Sequence, residues 1–282
     1  MRLLRVGPVG HERPAVLDGE GRLLDISSIA PEINGAFLSD GGVDRVRDTL
    51  AAGHLPVIEG EPRVGPPVVP GKVVCIGLNY SDHAEETNAP IPPEPVVFMK
   101  AVNTVIGPDD QVLIPRRSTK TDWEVELAVV IGRTARYLET EEDALACVAG
   151  YAIANDVSER EFQLERGGTW DKGKSCETFN PLGPWLVTAD EIPDPQQLGL
   201  RLWVDGVQRQ NGNTKNMIFN VAHVVHYLSQ FMVLDPGDVI NTGTPAGVAQ
   251  GFPDPKPFLR GGEVLELEID GLGRQRQTVG NA

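Results

Sequence analysis

The sequence predicts a β-rich α+β fold, a sandwich or barrel of short strands with a few helices, preceded by a small α+β module. Three observations support this class. The chain has 31 glycines and 23 prolines with no regular period, which is typical of many turns between short strands. Apolar runs of strand length, such as Val73–Gly77 and Val96–Lys100, recur along it. Strands do not alternate with long helices, as they would in a Rossmann fold.

The first 68 residues are predicted to form the small N-terminal domain. Apolar residues at 15–17 and 23–24 flank a turn that contains Asp-Gly, a pattern of strand, turn and strand. Residues 43–52 carry apolar side chains at helical spacing. Five prolines between positions 56 and 70 disfavour both a helix and a central strand, so the linker is placed there. The large domain then covers residues 69–282.

The large domain is predicted to be mostly β-structure. Its longest strand covers residues 123–131. Residues 200–204 and 207–210 form a hairpin, because the Asp-Gly pair between them is a strong two-residue turn signal. Residues 263–269 alternate apolar and polar side chains, which indicates a strand with one buried face.

Two helices interrupt these strands. Thr140 and Asp143 fit a capping box that begins a helix of residues 140–148. Asn220 can cap a second helix whose apolar residues follow helical spacing. His223 and His226 lie three residues apart on that helix and could share a zinc ion, but the rest of a zinc site is absent. They are interpreted as its polar face.

Composition excludes several classes of function. The net charge of −15 would repel a polyanion, so nucleic acid is not an expected partner. Three cysteines at wide spacings, with no C-x-x-C, favour the reducing cytoplasm over a disulfide framework. The N-terminus lacks the apolar core of a signal peptide. The longest apolar runs are too short to span a bilayer, so no membrane partner is expected and the protein should be soluble.

Two glutamates at the start of the longest strand are candidate metal ligands. Glu124 and Glu126 point to the same face of a strand and precede the unbroken apolar run 127–131. Adjacent carboxylates in a buried strand repel each other and lose hydration, which a divalent cation would relieve. Oxygen ligands favour Mg²⁺, Mn²⁺ or Ca²⁺ over zinc. Glu266 and Glu268 have the same spacing, but their alternating strand puts them on an outer face.

Two further positions carry candidate chemistry. Asp156 follows an apolar strand and could supply a third oxygen ligand, although a turn or helix cap fits its position equally well. His83 and Glu86 share one face if a helix begins near residue 82, and such a pair can hold and deprotonate a water. A surface helix carrying a histidine also fits this pattern. Glu85, next to Glu86, leaves the partner of His83 open.

Seven segments in this order resemble the fumarylacetoacetate hydrolase family. Together they run from about residue 73 to residue 269, most of the large domain, and the ordered set is far more specific than any member. They are Gly77-Leu78-Asn79-Tyr80-Ser81-Asp82-His83, Phe98-Met99-Lys100, Asp122-Trp123-Glu124-Val125-Glu126-Leu127, Asn155-Asp156-Val157-Ser158, Gly173-Lys174-Ser175 with Thr178-Phe179 and Pro181-Leu182-Gly183-Pro184, Gly212-Asn213-Thr214, and Thr242-Gly243-Thr244-Pro245-Ala246-Gly247-Val248. The departures, Cys176-Glu177 and Lys215-Asn216, lie outside the candidate metal ligands.

The resemblance implies a mixed β-sandwich or β-roll catalytic domain that forms a homodimer and uses Mg²⁺ or Mn²⁺, with Ca²⁺ as an alternative. By position, the metal ligands would be Glu124, Glu126 and Asp156. The catalytic residues would be His83, Glu86 and Lys174. The substrate-binding residues would be Gln163, Thr244, Gly243, Lys100 and Arg160.

These roles imply a metal-dependent hydrolase of C–C bonds in a 2,4-dioxo acid, either an acylpyruvate or a 2,4-diketo-3-deoxy sugar acid, which gives pyruvate and a carboxylic acid. A metal at the 2-oxo acid end would stabilise the enolate that forms at C3. The same chemistry serves an oxaloacetate decarboxylase and a 2-hydroxyhepta-2,4-diene-1,7-dioate isomerase, so both stay open. A non-enzymatic alternative is a metal-dependent module that binds a 2-oxo acid without converting it.

Overall fold

The computed structural model describes residues 1–87 and 90–282 and consists mainly of strands. In chain order the strands are β1 (Arg2–Val6), β2 (Arg13–Leu17), β3 (Leu23–Asp25), β4 (Val64–Gly65), β5 (Val73–Gly77), β6 (Val96–Lys100), β7 (Val105–Ile106), β8 (Val112–Ile114), β9 (Thr121–Asp122), β10 (Val125–Ile131), β11 (Val148–Asn155), β12 (Ser158–Glu159), β13 (Asn180–Thr188), β14 (Gly199–Val204), β15 (Val207–Asn213), β16 (Val239–Asn241), β17 (Val264–Ile269) and β18 (Gly273–Asn281).

The helices are short and lie between these strands. They are α1 (Gly35–Ser39), α2 (Gly42–Ala52), α3 (Ser81–Glu86), α4 (Glu141–Leu145), α5 (Arg160–Leu164), α6 (Asp171–Lys174) and α7 (Val221–Ser229). Single 3₁₀ turns cover Val102–Thr104, Ala189–Glu191, Pro195–Gln197, Thr214–Asn216 and Ala249–Gly251.

Two sheets pack face to face. The larger has the strand order β3-β2-β1-β13-β11-β10-β16-β5-β6, with β4 paired to β1 and β7 to β13. The smaller has the order β15-β14-β17-β18-β8. Leu127 and Ile153 of the larger sheet share one apolar cluster with Leu202 and Leu267 of the smaller. Neither sheet closes on itself within the described residues, so the sandwich prediction is confirmed and the barrel alternative is wrong.

Strand β10 lies at the centre of this arrangement, and all seven of its residues are buried. Its odd-numbered side chains face the smaller sheet. Ala128 and Val130 point the other way, into a second cluster that includes Phe37 and Val46 from the N-terminal helices. Burial on both faces explains why this strand reads as an unbroken apolar run rather than as an alternating one.

The N-terminal strands extend the larger sheet instead of forming a sheet of their own. Strand β1 pairs antiparallel with β13, with Leu3 opposite Leu186. The proline-rich segment predicted as a linker packs closely: Ile58 is buried, and Val64 pairs with Val6 of β1. The proposed domain boundary after residue 68 stays a prediction.

The structure confirms several predicted elements and shortens one predicted helix. The capping box of Thr140 is present, but the helix ends at Leu145. Ala146 and Cys147 form a turn before β11, and the carbonyl of Cys147 accepts backbone hydrogen bonds from Gly132 and Arg133. Asn220 caps α7 as predicted, through the backbone N–H of His223. The 200–210 hairpin and the late alternating strand are confirmed.

No helix in the described part of the chain is long and apolar enough to cross a membrane. All three cysteines are free thiols, and Cys75 and Cys147 are buried. Burial raises the pKa of Cys176 to about 11, so its thiol stays protonated at neutral pH.

Candidate metal centre and active site

Three buried carboxylates meet where β10 begins and β11 ends. Val125 lies opposite Asn155 in the antiparallel pair, which brings Glu124 next to Asp156. Glu126 follows on the same face of β10. Ligand oxygens from Glu124, Glu126 and Asp156 lie within 4.8 Å of one another, and all three residues are buried. The structure therefore brings the three predicted metal ligands together.

Side chains hold the backbone at the start of β10. On the side of β16, the described strands pair with β10 only from Ala128 onward. Asn155 accepts a hydrogen bond from the backbone N–H of Glu124 at 3.1 Å. Gln210 accepts one from the backbone N–H of Val125 at 2.9 Å. The backbone N–H of Gly243 donates to the carboxylate of Glu126 at 2.7 Å. These contacts fix the directions of both glutamates.

Three buried cations surround the carboxylates. Lys174 Nζ lies 2.8 Å from Glu124 Oε2 and 3.1 Å from Asp156 Oδ2. Arg160 Nη2 lies 2.7 Å from Glu124 Oε1. Lys100 Nζ pairs with Asp156 Oδ1 and donates to the carbonyl of Val157 at 3.0 Å. These cations therefore compensate the negative charges of Glu124 and Asp156.

Glu126 makes no ion pair with any of the described residues. Burial raises its pKa well above the usual value, and repulsion from Asp156 and Glu124 raises it further. Burial also raises the pKa of Glu124, but Lys174 and Arg160 outweigh this and hold that pKa below its usual range. Two glutamates two residues apart thus have opposite electrostatic environments.

A divalent cation fits this donor set. Asp156 Oδ2 is buried and has no hydrogen-bond partner among the described residues. The ammonium of Lys174 is within ion-pair distance of it, but the angles are wrong for a hydrogen bond, so the oxygen retains a lone pair for a metal. The donors are all oxygens, which suits Mg²⁺, Mn²⁺ or Ca²⁺. The role of the three residues as ligands stays a prediction.

His83 and Glu86 lie on α3, directly after β5. His83 Nδ1 is 3.3 Å from Glu86 Oε2. The backbone N–H of Gly247 donates to both oxygens of Glu86, at 3.0 and 3.1 Å. Glu85 is exposed, so Glu86 is the glutamate placed against His83. A backbone N–H group outside α3 therefore holds Glu86 in place beside His83.

One cavity of about 520 Å³ joins these groups. One part of its lining is apolar, formed by Ile76, Leu78, Phe98, Leu164 and Trp170. The rest consists of backbone, polar and charged groups, namely Gly77, His83, Glu86, Thr87, Glu124, Glu126, Arg160, Gln163, Lys174, Gly243, Thr244, Gln250, Gly251 and Lys256.

Some predicted substrate-binding groups are already engaged. The hydroxyl of Thr244 donates to the carbonyl of Val125 at 2.9 Å. Arg160 contacts Gln163 at 3.0 Å in addition to its carboxylate partners. Lys100 does not line the cavity and lies behind Asp156. The structure gives Lys100 a contact with a candidate metal ligand, and its predicted contact with substrate stays a prediction.

Sequence reasoning assigned no role to three residues at this site. Trp170 packs edge to face on Phe98, with ring centroids 5.4 Å apart, and an aromatic residue after two glycines was an available signal. Lys256 lines the cavity and donates to the carbonyls of Gln250 and Phe252, in a loop whose pattern gives no signal. Asp122 lies beneath the cavity and is completely buried.

Comparison with known proteins places the chain among relatives of this type. The family model described as fumarylacetoacetate (FAA) hydrolase, C-terminal, matches residues 72–280. A provisionally named hydrolase of Burkholderia ambifaria is 54% identical over 283 residues, which is 100% of both chains.

Solved structures agree with the family model. A fumarylacetoacetate hydrolase from Exiguobacterium antarcticum has 33% identity, a TM-score of 0.86 and 100% coverage of both chains. A maleylpyruvate hydrolase from Sphingobium sp. SYK-6, in complex with manganese(II) and pyruvate, has 28% identity, a TM-score of 0.81 and 100% coverage of both. A 2-hydroxyhepta-2,4-diene-1,7-dioate isomerase from Mycobacterium marinum has 29% identity and a TM-score of 0.74, and the match covers 100% of this chain and 98% of that one.

Proposed function

The chain belongs to the fumarylacetoacetate hydrolase family, and from that premise we propose that it hydrolyses a C–C bond in a 2,4-dioxo acid. The substrate is an acylpyruvate or a 2,4-diketo-3-deoxy sugar acid. The oxygen of water adds to the C4 carbonyl, and the C3–C4 bond breaks with its electron pair going to C3. C3 then takes up a proton, so the products are pyruvate and a carboxylic acid.

One observation carries this proposal. The His83–Glu86 pair lines the same cavity as Glu124 and Glu126, so a group able to activate water faces a candidate metal centre. A cavity of about 520 Å³ is ample for a small dioxo acid. A module that only binds a 2-oxo acid would need no such pair.

Glu124, Glu126 and Asp156 would hold the divalent cation. When bound, the cation would polarise the carboxylate and 2-oxo oxygens of a substrate and stabilise negative charge that develops there. Manganese together with pyruvate in the Sphingobium relative supports this assignment.

The charge balance of the site suits a substrate with one carboxylate at this end. Asp122, Glu124, Glu126 and Asp156 are four buried carboxylates, and three buried cations, Lys100, Arg160 and Lys174, lie beside them. The formal sum is therefore one negative charge, or one positive charge once a divalent cation is counted. A 2-oxo acid carboxylate would neutralise that remainder.

His83 would act as the general base. When Nδ1 carries the ring proton and donates it to Glu86, Nε2 is left free to accept a proton from a water. Glu86 is itself held by the backbone N–H of Gly247, which keeps the ring in one orientation. Lys174 lines the same cavity and would stabilise negative charge that develops on substrate oxygens.

A second candidate is isomerisation of an unsaturated hydroxy-diacid, and the Mycobacterium marinum relative favours it. Lys256 supports this candidate, because it lines the cavity and pairs with no carboxylate among the described residues. Its ammonium could therefore bind the second carboxylate of a diacid. Decarboxylation of oxaloacetate uses the same metal chemistry. Neither reaction needs an activated water.

The test is a substrate panel with saturating Mg²⁺ or Mn²⁺. It compares acylpyruvates, a 2,4-diketo-3-deoxy sugar acid, oxaloacetate, ureidoglycolate and 2-hydroxyhepta-2,4-diene-1,7-dioate, with products identified by mass spectrometry. The proposal expects pyruvate and the matching carboxylic acid from at least one 2,4-dioxo acid. Turnover of oxaloacetate or of the diene-dioate alone would replace it by the corresponding alternative. Metal-dependent binding without any turnover would favour the non-enzymatic module.

A further inference from the structure

We infer that Asp122 is a positioning residue whose single carboxylate fixes both the metal ligand Glu124 and the cavity-lining turn Ala249–Gly251. The inference rests on the proposed function, because it concerns the same metal site. Asp122 is fully buried and does not line the cavity, so it acts through the groups that it binds.

Four donors saturate this carboxylate. Asp122 Oδ1 accepts from the backbone N–H groups of Trp123 at 2.8 Å and Ala249 at 2.7 Å. Asp122 Oδ2 accepts from the backbone N–H of Gln250 at 3.0 Å and from Arg160 Nε at 2.8 Å. Each oxygen therefore binds one group near the metal site and one group of the turn.

Arg160 connects Asp122 to the metal site. Its Nη2 forms an ion pair with Glu124 Oε1 at 2.7 Å, without hydrogen-bond geometry, and its Nη1 donates to Gln163 Oε1 at 3.0 Å. Because a guanidinium is planar and rigid, holding its Nε at Asp122 fixes the directions of both other nitrogens. The position of Glu124 thus depends on Asp122 through one side chain.

The turn Ala249–Gly251 connects Asp122 to the part of the cavity that contains Glu86. Gln250 and Gly251 line the cavity, and a Cβ added to Gly251 would clash with the carboxyl group of Glu86. Gly247, two residues before Ala249, donates its backbone N–H to Glu86. Asp122 therefore holds the surface against which the partner of His83 is seated.

The chemistry requires a carboxylate at position 122. Both oxygens accept two hydrogen bonds each, so an amide would turn an NH₂ group toward two of these donors. The buried guanidinium of Arg160 would also lose one of its two carboxylate partners. The Asp122→Asn variant keeps the shape of the side chain and removes its negative charge and two of its four acceptor contacts.

The test measures Mn²⁺ affinity by electron paramagnetic resonance, together with kcat and KM on a turned-over dioxo acid. Asp122→Asn and Arg160→Lys should each weaken Mn²⁺ binding by about 10–100-fold, the usual effect of changing a partner of a metal ligand. Asp122→Asn should lower kcat more than it raises KM, because Asp122 does not line the cavity. Because Asp122 acts through Arg160, the double variant should be no weaker than the weaker single variant.

Asp238→Asn is the matched control. Asp238 is also fully buried, accepts backbone N–H groups from Lys72 and Asp235, and pairs with the Lys72 ammonium. It lies before β16, beside the end of β10 away from the metal site, since its carbonyl accepts from Ile131. The control should lose thermal stability as Asp122→Asn does and keep its Mn²⁺ affinity.

Three results would overturn the inference. They are unchanged Mn²⁺ affinity in Asp122→Asn, multiplied losses in the double variant, or an equal loss of affinity in the control. If Asp122→Asn does not fold, Asp122→Glu is measured in its place, because it keeps a carboxylate at position 122 but is one methylene longer, so it cannot keep all four hydrogen bonds. Unchanged Mn²⁺ affinity in Asp122→Glu would likewise overturn the inference, whereas Arg160→Lys alone tests only the contact of Arg160 with Glu124. A wild-type protein that turns over no dioxo acid would end the proposed function, while the Mn²⁺ measurement would still decide the role of Asp122.

Discussion

Glu124 and Glu126 show how much the surroundings of a residue decide its chemistry. Both are buried glutamates on one face of the same chain segment. Lys174 and Arg160 compensate Glu124, whereas Glu126 faces two other carboxylates and has one backbone N–H group as its recorded polar contact. A site that leaves one buried carboxylate uncompensated is unfavourable alone and favourable around a cation.

The first prediction concerns these ligands. Glu124→Ala, Glu126→Ala and Asp156→Ala should each abolish activity and weaken binding of Mg²⁺ or Mn²⁺, measured by calorimetry. Glu266→Ala is the control and should leave activity and metal binding nearly unchanged. Glu266 is a half-buried glutamate that pairs with Arg274 on the outer face of β17. Full activity after exhaustive chelation, with no metal found by elemental analysis, would contradict the assignment.

The second prediction separates hydrolysis from decarboxylation through His83. Hydrolysis needs an activated water, and general-base assistance is typically worth ~10²–10⁴-fold. His83→Ala should lose about that much acylpyruvate hydrolysis and keep its metal affinity, while any oxaloacetate decarboxylation should fall far less. His223→Ala is the control, since His223 also pairs with a glutamate but lies on α7 and does not line the cavity.

Both activities must be measured on one preparation with the same saturating metal. Equal loss of both would show that His83 positions the substrate instead of acting as the base. Unchanged hydrolysis would remove His83 from the mechanism and make Glu86 the next candidate.

At the residue scale, the sequence identified groups that stand out by type and spacing. Glu124 and Glu126 were found because two charges in an apolar run need an explanation. Asp122 was missed because its four donors come from Trp123, Arg160 and the turn at 249–250, up to 128 residues away. No local pattern can show such a set of partners.

At the scale of elements, patterns with a clear period were predicted well. The unbroken apolar run gave β10, and the alternating pattern gave β17 with its glutamates outward. Boundaries were less certain, because they depend on tertiary partners. Strand β10 begins at Val125 instead of residue 123, since side chains of Asn155 and Gln210 take the place of a neighbouring strand at its start.

The third prediction concerns how α3 is seated. Gly251→Ala would add a Cβ where the carboxyl group of Glu86 now lies, so this carboxyl group must shift from its present position beside His83. Misplacing a catalytic group by about 1 Å can cost ~10²-fold, so we expect a loss of that order in kcat with Mn²⁺ affinity unchanged. Gly19→Ala is the control, because among the described residues, apart from Gly19 and its two chain neighbours, no atom lies within 4 Å of the added Cβ. Wild-type kcat in Gly251→Ala would show that the contact of His83 with Glu86 is dispensable.

At the scale of the whole molecule, the candidate site lies on a sheet that is covered on both faces. The smaller sheet covers one face of β10 and β11, and α1 and α2 cover the other. The sequence predicted both parts, but it did not predict that β1 joins the large sheet beside β13. Pairing between segments more than 180 residues apart leaves no local pattern.

The last prediction follows from this shared sheet and tests the boundary after residue 68. A fragment of residues 69–282 would uncover Val130, Leu182, Leu186 and Val239, all fully buried in the intact chain, and would leave the edge of β13 unpaired. Exposing each such side chain costs roughly 1.5–3 kcal/mol, so four approach the ~5–15 kcal/mol that stabilises a typical domain.

We therefore expect the fragment to aggregate or to melt far below the full chain in thermal unfolding followed by circular dichroism. Adding residues 1–68 as a separate polypeptide should recover soluble protein, because the missing layer can then cover the sheet. A fragment that melts with the full chain and binds Mn²⁺ equally well would establish that residues 69–282 fold independently, as the boundary after residue 68 predicts. Because Ala128 and Val130 on β10 belong to the covered face, loss of the layer should also disturb the strand that carries Glu126, and Mn²⁺ affinity should fall together with stability.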